Sequence, residues 1–518
     1  MPVGEDAVPV GDDAVPLGED AVPVRAAVGG PFPVRWRDTV AVVDREGRRR
    51  TSYGELDDLA DRVAAAWRAD GLRPGDRVGL FLPNCVELVV GFLAAFRAGL
   101  VAVPVNTRYE GAQVRYVLDR AGAAAVVVHR RFAGRLPADD ARPQWVVGPD
   151  TDTWRDLPVA VRPPEPRPAD RPAVLLFTSG TTGHPKGVTH TLGSVTASVE
   201  QLVAQRRFTA GERLLVSLAF CHVAGLLGQV LPGLAVGATL VLHDGFRADA
   251  VAAEIDRAAV TRLELLPGQL AELVDRLEAA PPSARPLRGC VAGGDAVPVD
   301  VQARFEALTG CRVSQVCGMT ECFDYAMTPL TGPTRPGSVG VPAPGTTIQV
   351  RDGSGAVLGP DEVGELWVRG PSVMAGYWDD PAATAETLVD GWLATGDLGR
   401  LDGDGWLWFV GRRKQIIVRG GSNISPAEVE AALLAAPGVV AAVVVGVPDR
   451  RLGQRVAAFL VPRGPGAIDL DAVRRTLQGR LAEYQRPEWL WTVDELPTNP
   501  VGKPDRVALA ALAQHRTR

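Results

Sequence analysis

The chain has 518 residues, of which 46% are hydrophobic, and its formal net charge at pH 7 is −6. A chain of this length exceeds what one hydrophobic core usually supports, so a large domain and a smaller one are expected. The slight acidic excess argues against a general binder of nucleic acid or of membrane surfaces.

The sequence carries no sign of export or membrane insertion. It lacks a run of about eighteen apolar residues, and its N-terminus lacks the basic and then apolar pattern of a signal peptide. The six cysteines are scattered without the spacing of a metal site. We therefore expect a cytoplasmic protein with reduced thiols.

Residues 4–24 contain three copies of a seven-residue unit, GEDAVPV, GDDAVPL and GEDAVPV. Each unit is acidic, contains a proline and has no core-forming pattern. We predict a disordered extension over residues 1–29, with a partner-binding tail as the alternative.

Helical and strand patterns alternate from residue 53 to about residue 408. Leu56, Leu59, Val63 and Trp67 recur at helical spacing, and the short apolar run 78–82 follows a turn. Such alternation predicts an α/β domain over residues 30–411, with parallel-rich sheets covered by helices.

The pattern changes after residue 411. The segment 425–428, Ser-Pro-Ala-Glu, is typical of a helix start, and apolar strands are predicted at 439–445 and 456–461. We expect a small α+β domain over residues 412–518.

The most informative motif follows the apolar run 174–177. A loop of glycine and hydroxyl residues ends in a lysine, a composition that suits phosphate oxygens. Gly180, Gly183 and Lys186 are each three positions apart, which is not the spacing of a Walker P-loop. The residues predicted to bind phosphate are Thr178, Ser179, Gly180, Thr181, Thr182, Gly183 and Lys186.

This loop resembles the phosphate-binding loop of the adenylate-forming superfamily, which includes acyl- and aryl-CoA synthetases, luciferases and nonribosomal peptide adenylation domains. Further motifs of the superfamily follow in order between about residues 50 and 506, and the pattern is most similar to acyl- or aryl-CoA ligases. The resemblance implies that the protein uses ATP, Mg²⁺ and CoA, and that the small domain is a mobile lid.

The resemblance also assigns residues to the nucleotide site. Residues 291–296 resemble the glycine turn against adenine, and residues 315–321 resemble the motif whose threonine contacts the α-phosphate and whose glutamate holds Mg²⁺. Asp397 and Arg412 match the ribose-binding positions. The implied set is Gly294, Asp295, Ala296, Cys317, Gly318, Met319, Thr320, Glu321, Asp397 and Arg412.

Cys317 stands where the superfamily usually has an aromatic residue that stacks on adenine. The stacking is then lost or supplied elsewhere. A catalytic thiol is one interpretation, and a small apolar replacement is the favoured one.

Only three of the 55 basic residues are lysines, and each lies in one of these motifs. Lys186 belongs to the phosphate loop. Lys414 matches the hinge between the domains, and Lys503 matches the catalytic lysine that stabilises the adenylation transition state. Gly420 and Gly421 match the loop that lines the pantetheine tunnel.

The acid site is less well determined by sequence. The resemblance places His222 as a gate to the carboxylate site. It places the pocket walls at Val223, Gly228, Gly293, Phe323 and Asp324. Asp324 either meets a substrate amine or faces water.

We therefore expect ATP-dependent activation of a carboxylic acid as an acyl-adenylate, followed by transfer to a thiol, with CoA as the expected acceptor. The alternatives are a carrier-protein thiol, an amine, activation of a small oxyacid such as nitrite, and an inactive ATP-binding homologue. The protein is expected to be a monomer or homodimer with no nucleic-acid or membrane partner.

Overall fold

The computed structural model describes residues 24–44, 49–148, 154, 156–159, 168–178, 185–283, 286–294, 297–464, 466–499 and 503–517. Most of the acidic repeat, the phosphate-loop residues 179–184, and Asp295 and Ala296 lie outside the described residues.

The strands are, in chain order, β1 (Val40–Asp44), β2 (Arg49–Ser52), β3 (Arg77–Phe81), β4 (Val101–Pro104), β5 (Ala123–His129), β6 (Gln144–Val147), β7 (Pro172–Thr178), β8 (Lys186–Thr191), β9 (Arg213–Val216), β10 (Thr239–Leu242), β11 (Arg262–Leu265), β12 (Gly289–Gly293), β13 (Val313–Met319), β14 (Phe323–Met327), β15 (Val341–Pro342), β16 (Thr347–Arg351), β17 (Gly364–Arg369), β18 (Gly376–Tyr377), β19 (Leu388–Val389), β20 (Trp392–Leu401), β21 (Leu407–Arg412), β22 (Ile417–Arg419), β23 (Ser422–Ile424), β24 (Val439–Asp449), β25 (Gly453–Pro462) and β26 (Trp489–Thr492).

The α-helices are α1 (Tyr53–Ala69), α2 (Val86–Ala98), α3 (Gly111–Ala121), α4 (Leu192–Gln205), α5 (Leu231–Ala235), α6 (Ala248–Arg257), α7 (Pro267–Ala279), α8 (Val299–Thr309), α9 (Pro381–Thr387), α10 (Pro426–Leu434), α11 (Leu470–Gln478) and α12 (Arg506–Arg516). A π-helical segment spans Ala224–Val230 and leads directly into α5. None of the helices in the described residues is both long and apolar enough to cross a membrane.

The predicted helix starts follow from local chemistry. At α1 the Ser52 side chain accepts from the Glu55 backbone N–H, and the Glu55 side chain accepts from the Ser52 backbone N–H. The four apolar residues predicted to share one face of this helix are all buried. Ser425 accepts from the backbone N–H of Glu428 at the start of α10, as its sequence predicted.

Two large sheets form the N-terminal part. The first has the spatial order β15-β14-β13-β12-β11-β9-β10-β1-β2. The run from β13 to β1 is parallel, while β14 and β15 at one edge and β2 at the other pair antiparallel. The second has the order β18-β8-β7-β4-β3-β5-β6 and is parallel from β7 to β6. The predicted parallel-rich α/β architecture is confirmed.

Two smaller sheets follow. Strands β16, β17, β20 and β19 form one in that order, with β21 paired to β20. Strands β23, β22, β25 and β24 form the other, with β26 parallel to β25. Helices α10 and α11 pack together in the apolar cluster beside this last sheet, which gives the C-terminal region its own core.

The predicted extension over residues 1–29 is wrong for residues 24–29. Val24, Ala26, Ala27 and Val28 are at most 4% exposed, and they lie in the same apolar cluster as α4 and α5. Their burial follows from their apolar side chains, since the last acidic residue of the repeat, Asp20, precedes them by several positions.

Candidate active site

The carboxyl ends of neighbouring parallel strands assemble the site. The segment with His222 follows β9, Gly294 follows β12, and the turn with Thr320 and Glu321 follows β13. In the first sheet β12 lies beside β13, and β11 separates β12 from β9. In open α/β sheets this edge is where ligands bind.

The described part of the phosphate loop is the base of a hairpin. Thr178 at the end of β7 pairs with Lys186 at the start of β8, so the chain between them is closed by an antiparallel ladder. The Lys186 ammonium lies 4.8 Å from the centre of the Tyr377 ring. That cation–π contact orients the lysine beside the loop.

Tyr377 connects the loop lysine to the predicted metal ligand. Its hydroxyl donates to Glu321 Oε1 at 2.8 Å. Burial raises the pKa of Glu321, and the hydrogen bond from Tyr377 opposes that rise. The sequence did not identify Tyr377, because it lies on β18, 56 positions beyond its partner.

Thr320 is held by a buried histidine. His190 Nε2 lies 2.7 Å from the Thr320 carbonyl oxygen, and its Nδ1 lies 3.2 Å from Ser194 Oγ. A carbonyl only accepts, so Nε2 carries the proton and donates. Burial lowers the pKa of His190, which keeps the ring neutral and fixes the backbone that presents Thr320.

Asp397 lies at the centre of a hydrogen-bonded chain and is 1% exposed. Tyr325 donates to its Oδ2 at 2.8 Å, and Arg412 Nε lies 3.0 Å from its Oδ1. The arginine is placed there because Asp397 and Arg412 are opposite each other in the β20–β21 ladder. Burial raises the pKa of Asp397, and Arg412 is the main group that lowers it.

The Asp397 carboxylate has the acceptor capacity that a ribose requires. Although Arg412 Nε is close to Oδ1, it is not aligned as a hydrogen-bond donor, and Oδ1 is a buried acceptor with no hydrogen bond. A buried acceptor of this kind favours a donor brought by a ligand. The residues present therefore fit the ribose hydroxyls of ATP.

Cys317 extends the same chain. Its thiol lies 2.9 Å from the Tyr325 hydroxyl, which is placed there by the β13–β14 ladder. Burial, with a smaller contribution from Asp397, raises the pKa of Cys317 well above the ordinary thiol value. A protonated thiol is a poor nucleophile. The raised pKa therefore favours the interpretation of Cys317 as a small apolar residue in place of the usual aromatic one. Tyr325 is itself fully buried and does not present its ring as an adenine-stacking surface.

The predicted catalytic lysine reaches the N-terminal domain. A Cβ atom built on Gly294, where φ is 89°, would lie 3.2 Å from Lys503 Cε and 3.4 Å from its Nζ. Burial and the charge of Lys503 lower the pKa of His222 to about 4. Lys503 therefore approaches Gly294 and lies close enough to His222 for its charge to act on the imidazole.

The predicted acid pocket is partly corrected. Asp324 is only 4% exposed and accepts from Arg206 Nη2 at 2.6 Å, so it does not face water. Arg206 Nη1 also donates to Glu264 Oε2 at 2.7 Å. Burying a carboxylate costs free energy unless a partner compensates for the lost hydration, and Arg206 supplies that compensation for both carboxylates. Phe323 is 2% exposed and packs against the π-helical segment that contains Gly228.

Three further predicted residues, Lys414, Gly420 and Gly421, lie in exposed turns. Lys414 is exposed in a 3₁₀ turn between β21 and β22. Gly420 and Gly421 form the exposed turn between β22 and β23, with φ of 58° and 84°. A Cβ atom at Gly421 would meet no heavy atom within 4 Å, so the space beside it is open.

Glu321 is the protein carboxylate predicted to bind Mg²⁺ at this site. Within the described ranges, no group of three His, Cys, Asp or Glu side chains is arranged to hold a metal. Mg²⁺ is commonly bound by one or two carboxylates together with substrate phosphates and water. Glu321, beside the lysine of the phosphate loop, fits that mode.

Comparisons with known proteins agree with this geometry. The family model for AMP-binding enzymes matches residues 32–378, and the model for the AMP-binding enzyme C-terminal domain matches residues 428–503. The indoleacetate–CoA ligase of Aromatoleum aromaticum is 33% identical over 90% of this chain and 94% of its own. The feruloyl-CoA synthase of an Amycolatopsis species is 35% identical over 92% and 96%.

A solved structure extends the comparison. ATP-bound MatB from Rhodopseudomonas palustris superposes with a TM-score of 0.87 at 29% identity, covering 96% of this chain and 99% of that one. The chain therefore belongs to the AMP-binding enzyme family, as an AMP-forming acid–thiol ligase that uses ATP to activate a carboxylic acid as its acyl-adenylate and then passes the acyl group to a thiol.

Proposed function

We propose that this site adenylates its acid with Lys503 as the catalytic cation and transfers the acyl group to CoA after the C-terminal domain, residues 412–518, has turned about Lys414. The observation that carries the proposal is the position of Lys503 against Gly294 and within charge range of His222 and Asp397. This position supports a role for Lys503 where the α-phosphate and carboxylate would meet.

In this proposal, separate residues bind the phosphates, the ribose and the adenine of ATP. Residues 178–186 surround the phosphates, Thr320 contacts the α-phosphate, and Asp397 accepts from the ribose hydroxyls. Gly294, Asp295 and Ala296 of the glycine turn, together with Cys317, Gly318 and Met319, would contact adenine. Mg²⁺, when bound through Glu321, neutralises phosphate charge.

In the first half-reaction a carboxylate oxygen of the acid bonds to the α-phosphorus. The bond from that phosphorus to the bridging oxygen breaks, and pyrophosphate leaves with the electron pair. Two anions, the carboxylate and the phosphate, approach each other in this step. The ammonium of Lys503 would therefore stabilise the transition state more than the ground state. His222 is uncharged at pH 7 and shapes the entrance without adding charge.

In the second half-reaction the CoA sulfur bonds to the acyl carbon, the bond to the AMP oxygen breaks, and the thiol proton passes to solvent. Gly420 and Gly421 support this role because their exposed turn has no side chains to obstruct a narrow pantetheine arm. Rotation about the turn at Lys414 would bring them to the site and withdraw Lys503.

The test is to replace two of the three lysines one at a time. Lys503→Ala should lower ATP–pyrophosphate exchange by about 10²–10³-fold, the loss typical of one transition-state contact. It should spare thioester formation from supplied acyl-adenylate and CoA. Lys414→Ala is the matched control and should show the opposite pattern.

Equal losses in both half-reactions for Lys503→Ala would refute the alternation of domains. Mass spectrometry of the products, with and without CoA, identifies the acceptor. An acyl-amide, or an acyl group on a carrier-protein thiol, would instead establish one of the alternative acceptors.

A further inference from the structure

Phe323, one of the predicted walls of the acid pocket, packs in the apolar core against another predicted wall residue, Gly228. Phe323 is 2% exposed, and its ring reaches the π-helical segment that begins two residues after His222. The contact is close because a Cβ atom on Gly228 would lie 3.1 Å from Phe323 Cζ. The ring therefore fills the space between this segment and β14.

The backbone holds Phe323 in a disfavoured conformation. Its φ is 56°, in the left-handed region that bulky residues seldom adopt. The β13–β14 ladder is irregular here, and a Cβ atom on Gly318 would lie 2.6 Å from the Phe323 carbonyl oxygen. Strain of this kind persists where the surrounding structure enforces it, and it is concentrated at functional sites.

Behind the ring lies a layer of buried charge that cannot easily move. Arg206 Cζ lies 6.0 Å from the centre of the Phe323 ring, and Arg206 is bonded to both Asp324 and Glu264. A Cβ atom on Gly228 would lie 2.8 Å from Glu264 Oε2. Displacing a member of such a cluster leaves an unpaired buried charge, so the space behind the ring and beside Gly228 is not readily enlarged.

We infer that the acid site of this ligase admits only a compact, short-chain carboxylic acid, with Phe323 as the residue that sets the limit. The inference rests on the proposed function and specifies its substrate class. Aryl acids, which need the space that the ring occupies, are excluded by shape.

The experiment compares compact acids (acetate and propionate) with bulky ones (benzoate, ferulate and indole-3-acetate) in ATP-dependent pyrophosphate release. The wild-type protein should use the best compact acid with a kcat/KM at least about 100-fold above any bulky acid. Phe323→Gly suits the positive φ and removes the ring, so it should raise the ratio of benzoate to propionate at least about tenfold.

Phe305→Ala is the matched control. Phe305 is fully buried on α8 in a different apolar cluster, so its loss loosens the protein without enlarging the acid site. The inference is overturned if the wild type uses bulky acids as well as compact ones. It is also overturned if Phe323→Gly leaves the ratio unchanged or Phe305→Ala changes it equally.

A second measurement separates this inference from the proposed function. If no acid releases pyrophosphate, the proposed function fails. The size limit is then judged by the rise in unfolding temperature that each acid produces in the wild type and in Phe323→Gly. Benzoate should stabilise only the variant, and equal stabilisation of both proteins would refute the limit.

Discussion

Replacing Tyr325 with phenylalanine removes one oxygen atom from the chain that runs from Cys317 to Asp397. In the structure this oxygen donates to Asp397 Oδ2 at 2.8 Å, and it lies 2.9 Å from Cys317 Sγ. The carboxylate loses its only aligned protein donor among the described residues. We expect Asp397 to be less well held for the ribose hydroxyls.

The magnitude follows from the burial and charge of the acceptor. A hydrogen bond to a charged group contributes about 1.5–3 kcal/mol. Part of that loss lowers the stability of the free protein, and the part expressed in nucleotide binding should be about 1–2 kcal/mol, or about 5–30-fold in the KM for ATP. The kcat should change little, because Asp397 is assigned to the ribose hydroxyls and not to the bonds that break.

The assay is ATP–pyrophosphate exchange with ATP and with 2′,3′-dideoxy-ATP, which lacks both ribose hydroxyls. If Tyr325 acts by positioning Asp397, the variant should lose affinity for ATP but should match the wild type with the dideoxy nucleotide. Tyr53→Phe is the control, because Tyr53 is equally buried and donates to the Ala238 carbonyl at 2.7 Å, away from the site.

Equal increases in KM for both nucleotides would refute a positioning role for Tyr325. So would a Tyr53→Phe variant with the same loss of ATP affinity, since the effect would then come from lowered stability alone.

Three further predictions concern neighbouring groups. His222→Gln should weaken the pH dependence of the free energy of unfolding. The pKa of His222 in the folded protein is about 4, below the ordinary 6.5. The contribution of the neutral histidine to wild-type stability is therefore complete above pH 6.5 and is lost as the pH falls towards 4. Between about pH 7 and pH 4.5, the wild type should lose at most about 3 kcal/mol more unfolding free energy than the variant, as measured by urea unfolding. Identical pH profiles for the two proteins would contradict this prediction. Cys317→Ala should retain exchange activity within about threefold, because the pKa of this buried thiol is raised; a nucleophile would lose about a thousandfold or more. Tyr377→Phe should raise the Mg²⁺ concentration needed for half-maximal exchange about fivefold, since Glu321 loses a hydrogen bond worth about 1 kcal/mol, and an unchanged requirement would separate Tyr377 from the metal site.

Local patterns predicted much of the fold. The helix from Tyr53, the strand before the phosphate loop and the start of the helix at Pro426 all depend on residues within one or two turns of each other. Periodicity and capping act over such short distances, so the sequence carries them directly. The burial of Val24, Ala26, Ala27 and Val28 was missed because it depends on α4 and α5, far along the chain.

The three lysines were also evident from the sequence, because a chain that otherwise uses arginine kept lysine only in its motifs. The tertiary structure gave them different surroundings. Lys186 lies over the Tyr377 ring, Lys503 approaches Gly294, and Lys414 is exposed between two sheets. Only the first and second of these arrangements bring a lysine to the nucleotide site.

What the sequence alone indicated is the chemistry of short segments: the predicted phosphate loop, the aspartate proposed to bind the ribose and the lysine near the C-terminus. What only the tertiary structure decided is which side chains support them and how much room the acid has. Asp324 was left between two roles by the sequence, and it is neither free nor solvated because Arg206, 118 positions away, pairs with it. The physical reason is that desolvation and packing depend on neighbours in space, which a linear pattern of residues does not specify.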